Sequence, residues 1–170
     1  LAQRAGATIF ATAGNPKKRA FLRDMGVDHV LDSRSLSFAD DVMAITQGTG
    51  VDVVLNSLAD EFAQASMRVL TANGRFLEIG KRGILSPDEA ARLKPEAAYH
   101  IVDWGETAKE DPALITGIFR RIIADIRSRA LTPLPHRAFN RAETRQAFRF
   151  MAQAKHIGKI AVTQDDAALS

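Results

Sequence analysis

The sequence predicts a doubly wound α/β domain, with a parallel sheet covered by helices on both faces. Two observations carry this expectation. Short β-branched runs alternate with amphipathic stretches along the whole of the 170 residues, and strands alternating with helices at such spacing build parallel sheets. Turn and cap residues stand at the joints, so each run has a start and a stop.

Residues 7–13 (ATIFATA) read as a buried strand, followed by Gly14, Asn15 and Pro16 as turn chemistry. Pro16 suits the first turn of a helix that runs to Met25, and Gly26 terminates it. Residues 27–31 are a second strand. Ser37 reads as the N-cap of a helix carrying Phe38, Val42 and Ile45 at helical spacing, with Asp40 and Asp41 in its first turn. Residues 51–55 (VDVVL) form a third strand and 60–70 a third helix. Asn73 and Gly74 read as a turn into a fourth strand, 75–79, which ends at Gly80 and Lys81. After a Pro-containing loop, 99–102 is a fifth strand. Asp111 and Pro112 open a long helix with Ile115, Ile118, Phe119, Ile122 and Ile126 on one face. Residues 141–154 are a last helix and 157–163 a last strand.

Residues 1–5 before Gly6 read as the last turns of a helix and its C-cap. In a nucleotide-binding α/β domain a strand and a Gly-rich turn would precede that helix. The expected domain is therefore incomplete at its N-terminus. In the usual strand order 3-2-1-4-5-6, the missing strand lies between 7–13 and 51–55. Residues 1–170 alone are then expected to be loosely packed and to bind cofactor poorly.

Composition narrows the function. Hydrophobic residues at 46% and charged residues at 25% match an ordinary globular domain, and the length suits one domain. Cysteine is absent, which removes disulfides, thiolate nucleophiles and sulfur-based zinc sites. A net charge of only +3, with one Trp and one Tyr, argues against nucleic acid as a partner. No apolar run is long enough to span a membrane, and the N-terminus lacks a signal-peptide pattern, so the expected compartment is the cytoplasm. The four histidines show no metal-ligand spacing, and no G-x-S-x-G motif occurs.

The end of the first visible strand is the most informative site. In dinucleotide folds an acid about 20 residues after the glycine fingerprint binds the ribose 2′-hydroxyl and selects NAD. Here the strand runs into Thr12, Ala13, Gly14 and Asn15 without an acid, and Lys17, Lys18 and Arg19 follow. Small residues leave room for a 2′-phosphate and cations bind it, which favours NADPH. The plain alternative is that Lys17 to Arg19 are a solvated helix face. Asn56-Ser57-Leu58 and Gly80-Lys81 follow two other strands at their carboxyl ends, where open α/β sheets bind ligands. Turn geometry alone would also place Asn, Ser and Gly there.

The segments VDVVLNSLADEF (51–62), GRFLEIGK (74–81) and AFRFMAQAKHIGKIAV (147–162) resemble the enoyl reductase domain of type I polyketide synthases and animal fatty-acid synthase. That family is the zinc-free branch of the medium-chain dehydrogenase/reductases, a Rossmann-like fold. TAGNPKKR (12–19) and DSRSLSF (32–38) match the pattern too. The resemblance implies that Lys18 faces the 2′-phosphate, helped by Thr12, Gly14 and Asn15, with Arg34 against the adenosine end. Asn56, Ser57 and Leu58 would line the ribose-phosphate path, and Ile79, Gly80 and Lys81 would lie near the nicotinamide. Lys81 and Asp103 match positions considered as proton donors. An ordinary aspartate is ionised at neutral pH, so Asp103 is expected to position or pair with Lys81 instead.

The implied activity is reduction of an α,β-unsaturated thioester tethered to an acyl carrier protein. Hydride goes to the β-carbon, a proton to the α-carbon, and no metal takes part. The implied partners are the other domains of a parent synthase, with a homodimer formed through the parent chain. Residues 1–170 would be part of the NADPH-binding domain, and the strand at 157–163 would lie toward a substrate domain. Quinone or enone reduction on the same scaffold, or a non-catalytic structural domain, are the alternatives. An S-adenosylmethionine methyltransferase would keep an acid after the strand that reaches Thr12.

Overall fold

The structure, a computed structural model, describes residues 1–164. Its elements follow the α/β alternation: β1 (Phe10–Ala13), α1 (Pro16–Asp24), β2 (His29–Asp32), α2 (Ser37–Ile45), β3 (Val51–Asn56), α3 (Glu61–Arg68) and β4 (Leu70–Glu78). Then come α4 (Pro87–Leu93), β5 (Ala98–Ile101), α5 (Trp104–Glu110), α6 (Pro112–Arg127), β6 (His136–Asn140), α7 (Thr144–Ala152) and β7 (Lys159–Thr163). Every strand pairing among the described residues is parallel. This is the α/β, Rossmann-like class that the alternation predicts.

The described residues divide into two compact units, 1–115 and 116–164. In the first, β1 pairs with β2, and β3, β4 and β5 form a second sheet in that order. No ladder joins β1 to β3 among the described residues, in keeping with the expectation that a strand between them is missing. The break falls where the strand order leaves room for a further strand. Helices α2 and α3 bridge it: Phe38, Ala39, Val42, Ala65 and Val69 are buried together, with Phe10 and Leu31 packed on one side and Val51 and Val54 on the other. A second cluster joins Ala63, Met67, Leu70, Phe76, Leu85 and Ala90 under α3 and α4. Burying the larger of these side chains, such as Phe38, Met67, Leu70 and Phe76, contributes about 1.5–3 kcal/mol each, so these clusters decide where the strands lie.

One face of β3 and β4 is open among the described residues. Register places Val53 beside Arg75 and Leu55 beside Leu77 on one face of β3 and β4. Val53 and Leu55 on that face are 45% and 67% exposed. The opposite face carries Val54 and Phe76, which pack against the second cluster.

Several local readings change. Ser37 is the first residue of α2 rather than its cap; Leu36 holds the cap position without a side-chain bond, and Ser35 Oγ accepts from the Ser37 amide. Asn73 and Gly74 do not turn the chain. They lie within β4, in a bulge where the register shifts between Val51 and Val53. The loop before the fifth strand contains α4, opened by a capping box between Ser86 and Glu89 with Pro87 behind the cap. Residues 1–5 form only a single 3-10 turn, closed by Gly6 at a φ of 72°.

In the second unit β6 and β7 pair in register from His136–Lys159 to Asn140–Thr163, with α7 against both. The Arg137 guanidinium lies over the rings of both Phe139 and Phe150, at 4.9 and 4.7 Å.

Candidate functional site

The carboxyl ends of the strands carry the polar groups. On the first sheet, β1 ends at Ala13 and α1 begins at Pro16, capped by Asn15, whose Oδ1 accepts from the Lys18 amide at 2.9 Å. The Asn15 side-chain oxygen is thus spent on the helix start, and the cap fixes where Lys18 leaves the backbone. Thr12 is exposed, and Gly14 and Lys18 are half-buried. Arg34 follows β2 and turns back over Gly14: a Cβ added to Gly14 would stand 2.7 Å from Arg34 Nε. The structure therefore brings Gly14, Asn15, Lys18 and Arg34 into one neighbourhood. Arg19 behaves differently from its neighbours, with its guanidinium bound to Asp32 and to the Ala13 carbonyl.

On the second sheet, register aligns Asn56, Glu78 and Ile101 as one rung at the carboxyl edge. Asn56 is buried and its amide is fully occupied: Nδ2 donates to the Leu58 carbonyl at 2.8 Å and to Glu78 Oε2 at 2.6 Å, while Oδ1 accepts from the Leu58 amide at 3.2 Å. This fixes the loop through Ser57, the exposed member of the triplet, while Leu58 packs toward the core. Glu78, 0% exposed, also accepts from the Gly80 amide through Oε1 at 2.6 Å. Asp60, at a φ of 53°, ties the two loops together by donating its amide to the Gly83 carbonyl at 2.7 Å.

Glu78 is the residue that sequence reasoning misses. Its signal is an acid inside an apolar strand, readable only once register sets it beside Asn56. A buried carboxylate needs donors, and these two bonds supply them. Their consequence is a fixed turn through Ile79 and Gly80, from which Lys81 projects.

Lys81 Nζ lies 2.8 Å from Asp103 Oδ2, the side chains 61% and 47% exposed. Asp103 caps α5, with Oδ1 accepting from the Gly105 and Glu106 amides at 2.9 and 3.2 Å. The Lys81 hydrogen bond, then the two amides, hold the Asp103 carboxyl below the usual aspartate range. At neutral pH it has no proton to donate. What it does is orient the ammonium, since one oxygen is locked to a helix start and the other faces Lys81. Tyr99 is committed elsewhere: its hydroxyl donates to the Leu85 carbonyl at 2.7 Å, and burial, then the charges of Glu78 and Glu89, raise its pKa.

Lys18 and Arg34 have no ion-pair partner among the described residues. Two such cations around a glycine cradle fit a phosphate monoester. Among the described residues no group of three or more His, Cys, Asp or Glu could hold a metal.

Comparison with known proteins identifies the family. Residues 25–162 match the family described as "Zinc-binding dehydrogenase". The chain is 39% identical over 165 residues to a phenolphthiocerol/phthiocerol polyketide synthase of Mycobacterium tuberculosis, covering 96% of this chain and 8% of that protein. It superposes on the crystal structure of CurK enoyl reductase with a TM-score of 0.87 and 42% identity, over 95% of this chain and 49% of that one. The nucleotide-binding subdomain of the enoylreductase domain of PpsC from Mycobacterium tuberculosis gives a TM-score of 0.67 and 37% identity, over 77% of this chain and 74% of that one. A quinone oxidoreductase from Pseudomonas syringae, at 15% identity and a TM-score of 0.80, shares the fold. No helix among the described residues is long and apolar enough to cross a membrane. The chain spans about half of a solved enoyl reductase and a small part of a polyketide synthase, and it belongs to this dehydrogenase family, in its branch of polyketide-synthase enoyl reductases.

Proposed function

We propose that the chain is the cofactor-binding part of an NADPH-dependent enoyl-thioester reductase, working on an acyl chain tethered to an acyl carrier protein within a polyketide synthase. The observation that carries this is the Lys81–Asp103 pair, 2.8 Å apart at the carboxyl edge of β4 and β5. Lys18 and Arg34 would hold the 2′-phosphate, with Thr12, Gly14 and Asn15 shaping its cradle. Asn56, Ser57 and Leu58 would line the ribose-phosphate path, and Ile79 and Gly80 would face the nicotinamide. NADPH supplies the hydride in such a reduction. The part of this chain is to present an ammonium where negative charge develops on the thioester oxygen, or to deliver the α-carbon proton from it. Asp103 keeps that ammonium aimed. The strand Lys159–Thr163 would lie toward the substrate-binding part of the reductase.

The test is made on the reductase that carries this chain. Lys81→Ala should lower turnover by roughly 10²–10⁴ with a much smaller effect on NADPH affinity. Lys18→Ala should weaken NADPH binding roughly ten- to a hundredfold and leave NADH binding nearly unchanged. Equal losses in turnover and affinity at Lys81 would reduce it to a binding residue. Equal losses of both cofactors at Lys18 would sink the 2′-phosphate assignment.

A further inference from the structure

We infer that Arg19 and Asp32 determine cofactor specificity together, Arg19 masking a carboxylate that would otherwise select NADH. This rests on the NADPH reading above and names two residues outside the cradle it assigns. The strand that reaches Thr12 ends without an acid of its own, but parallel register sets Asp32, the last residue of β2, directly beside Ala13, the last residue of β1. An acid thus stands one strand over from the place where dinucleotide folds keep the one that binds the ribose 2′-hydroxyl. Left bare, it would favour a hydroxyl and repel a phosphate.

It is not bare. Arg19 Nη1 lies 2.9 Å from Asp32 Oδ2 and donates at 2.9 Å to the Ala13 carbonyl. The other oxygen, Oδ1, accepts from the Arg34 amide at 2.9 Å. Arg19 is the better covered of the two, its side chain 19% exposed against 43% for Asp32. A guanidinium that also holds a strand-end carbonyl has little freedom to leave the carboxylate. The charge of Asp32 is therefore cancelled in place, and Lys18 and Arg34 dominate the field around Gly14. The same carboxylate sets the turn from which Arg34 reaches back.

The experiment measures NADPH and NADH dissociation constants on the complete reductase carrying this chain. Arg19→Gln keeps a donor for the Ala13 carbonyl but removes the charge. It should weaken NADPH and spare or strengthen NADH, moving the ratio of the two constants roughly ten- to a hundredfold. Arg19→Lys retains the charge and should keep the wild-type ratio. Adding Asp32→Asn to Arg19→Gln should restore most of the NADPH preference, because the unmasked carboxylate is then gone. Equal weakening of both cofactors in Arg19→Gln, or no recovery in the double variant, would make the pair a structural strut and overturn the inference while leaving the NADPH reading intact. Failure of the wild-type enzyme to bind NADPH would overturn both.

Discussion

Replacing Glu78 by Gln keeps the size of the side chain and tests whether its two short bonds hold the turn that carries Lys81. Both oxygens accept: Oε1 from the Gly80 amide and Oε2 from Asn56 Nδ2, each at 2.6 Å. A glutamine has one acceptor and one amino group, so whichever way its amide turns, one of those contacts becomes donor against donor. Asn56 cannot relieve this by flipping, because both ends of its own amide are bound to Leu58. Leaving a buried donor unsatisfied costs about 1–3 kcal/mol. Local opening of the turn should become easier by roughly five- to a hundredfold. Hydrogen exchange read by mass spectrometry on a peptide containing Gly80 and Lys81 measures this directly. Glu96→Gln, an exposed control, should change nothing. If exchange at Gly80 is the same in Glu78→Gln as in wild type, the carboxylate does not hold the turn.

Other positions give equally direct tests. Gly14→Ala would put a Cβ 2.7 Å from Arg34 Nε; the flexible arginine should move and the fold survive, with NADPH affinity falling up to about a hundredfold and NADH affinity hardly at all, measured by titration. The Asp103 carboxyl is held below its ordinary value, by Lys81 first, so the pair's contribution is present above about pH 3.9 and lost only as pH falls through the lowered value. A carbon-detected NMR titration should find that lowered midpoint, and Lys81→Met should raise it; an ordinary midpoint in wild type would contradict the pairing. Ser86→Ala removes the cap of α4 and should cost about 1 kcal/mol, read as faster amide exchange in its first turn.

How much of this is legible in sequence depends on whether the signal is local. The start of α1 at Pro16 and its end before Gly26 are readable because caps act within a few residues. The α4 signal is equally local, Ser86 with Glu89 three residues on and Pro87 between them, but a proline amid polar residues reads as a loop when no apolar stripe accompanies it. Helix α5 is short and polar, and Asp103 as its cap becomes visible only in the fold. The asparagine–glycine pair at 73 and 74 suggests a turn by its commonest use; here the apolar Leu70 before it, buried among Met67 and Phe76, pulls the preceding residues into β4 and leaves the pair as a bulge. Contacts that need register are not legible at all. Arg19 and Asp32 are 13 apart in sequence, Asn56 and Glu78 are 22 apart, and no spacing rule links them. Lys81 and Asp103 are paired through family resemblance, not through pattern.

The four strand ends share one device, and it explains why polar chemistry gathers at this edge without fraying it. Asp32, Asn56 and Glu78 are the last residues of β2, β3 and β4, and Asp103 stands just past β5. Each accepts a hydrogen bond from the backbone amide two residues on, at Arg34, Leu58, Gly80 and Gly105 respectively. Such a bond turns the chain out of the strand and satisfies an amide that the ladder has abandoned. It occupies only one side-chain atom. The remaining atom takes a partner from elsewhere: Asp32 meets Arg19, Asn56 and Glu78 meet each other, and Asp103 meets Lys81. Turn and site are therefore built by the same side chains through different atoms. An Asp→Asn change at 32 or 103 can keep an oxygen for the turn while removing the charge that its partner sees. Truncation to Ala removes both. Any assignment of function at this edge has to compare those two substitutions at the same position, since only their difference isolates the charge from the turn that carries it.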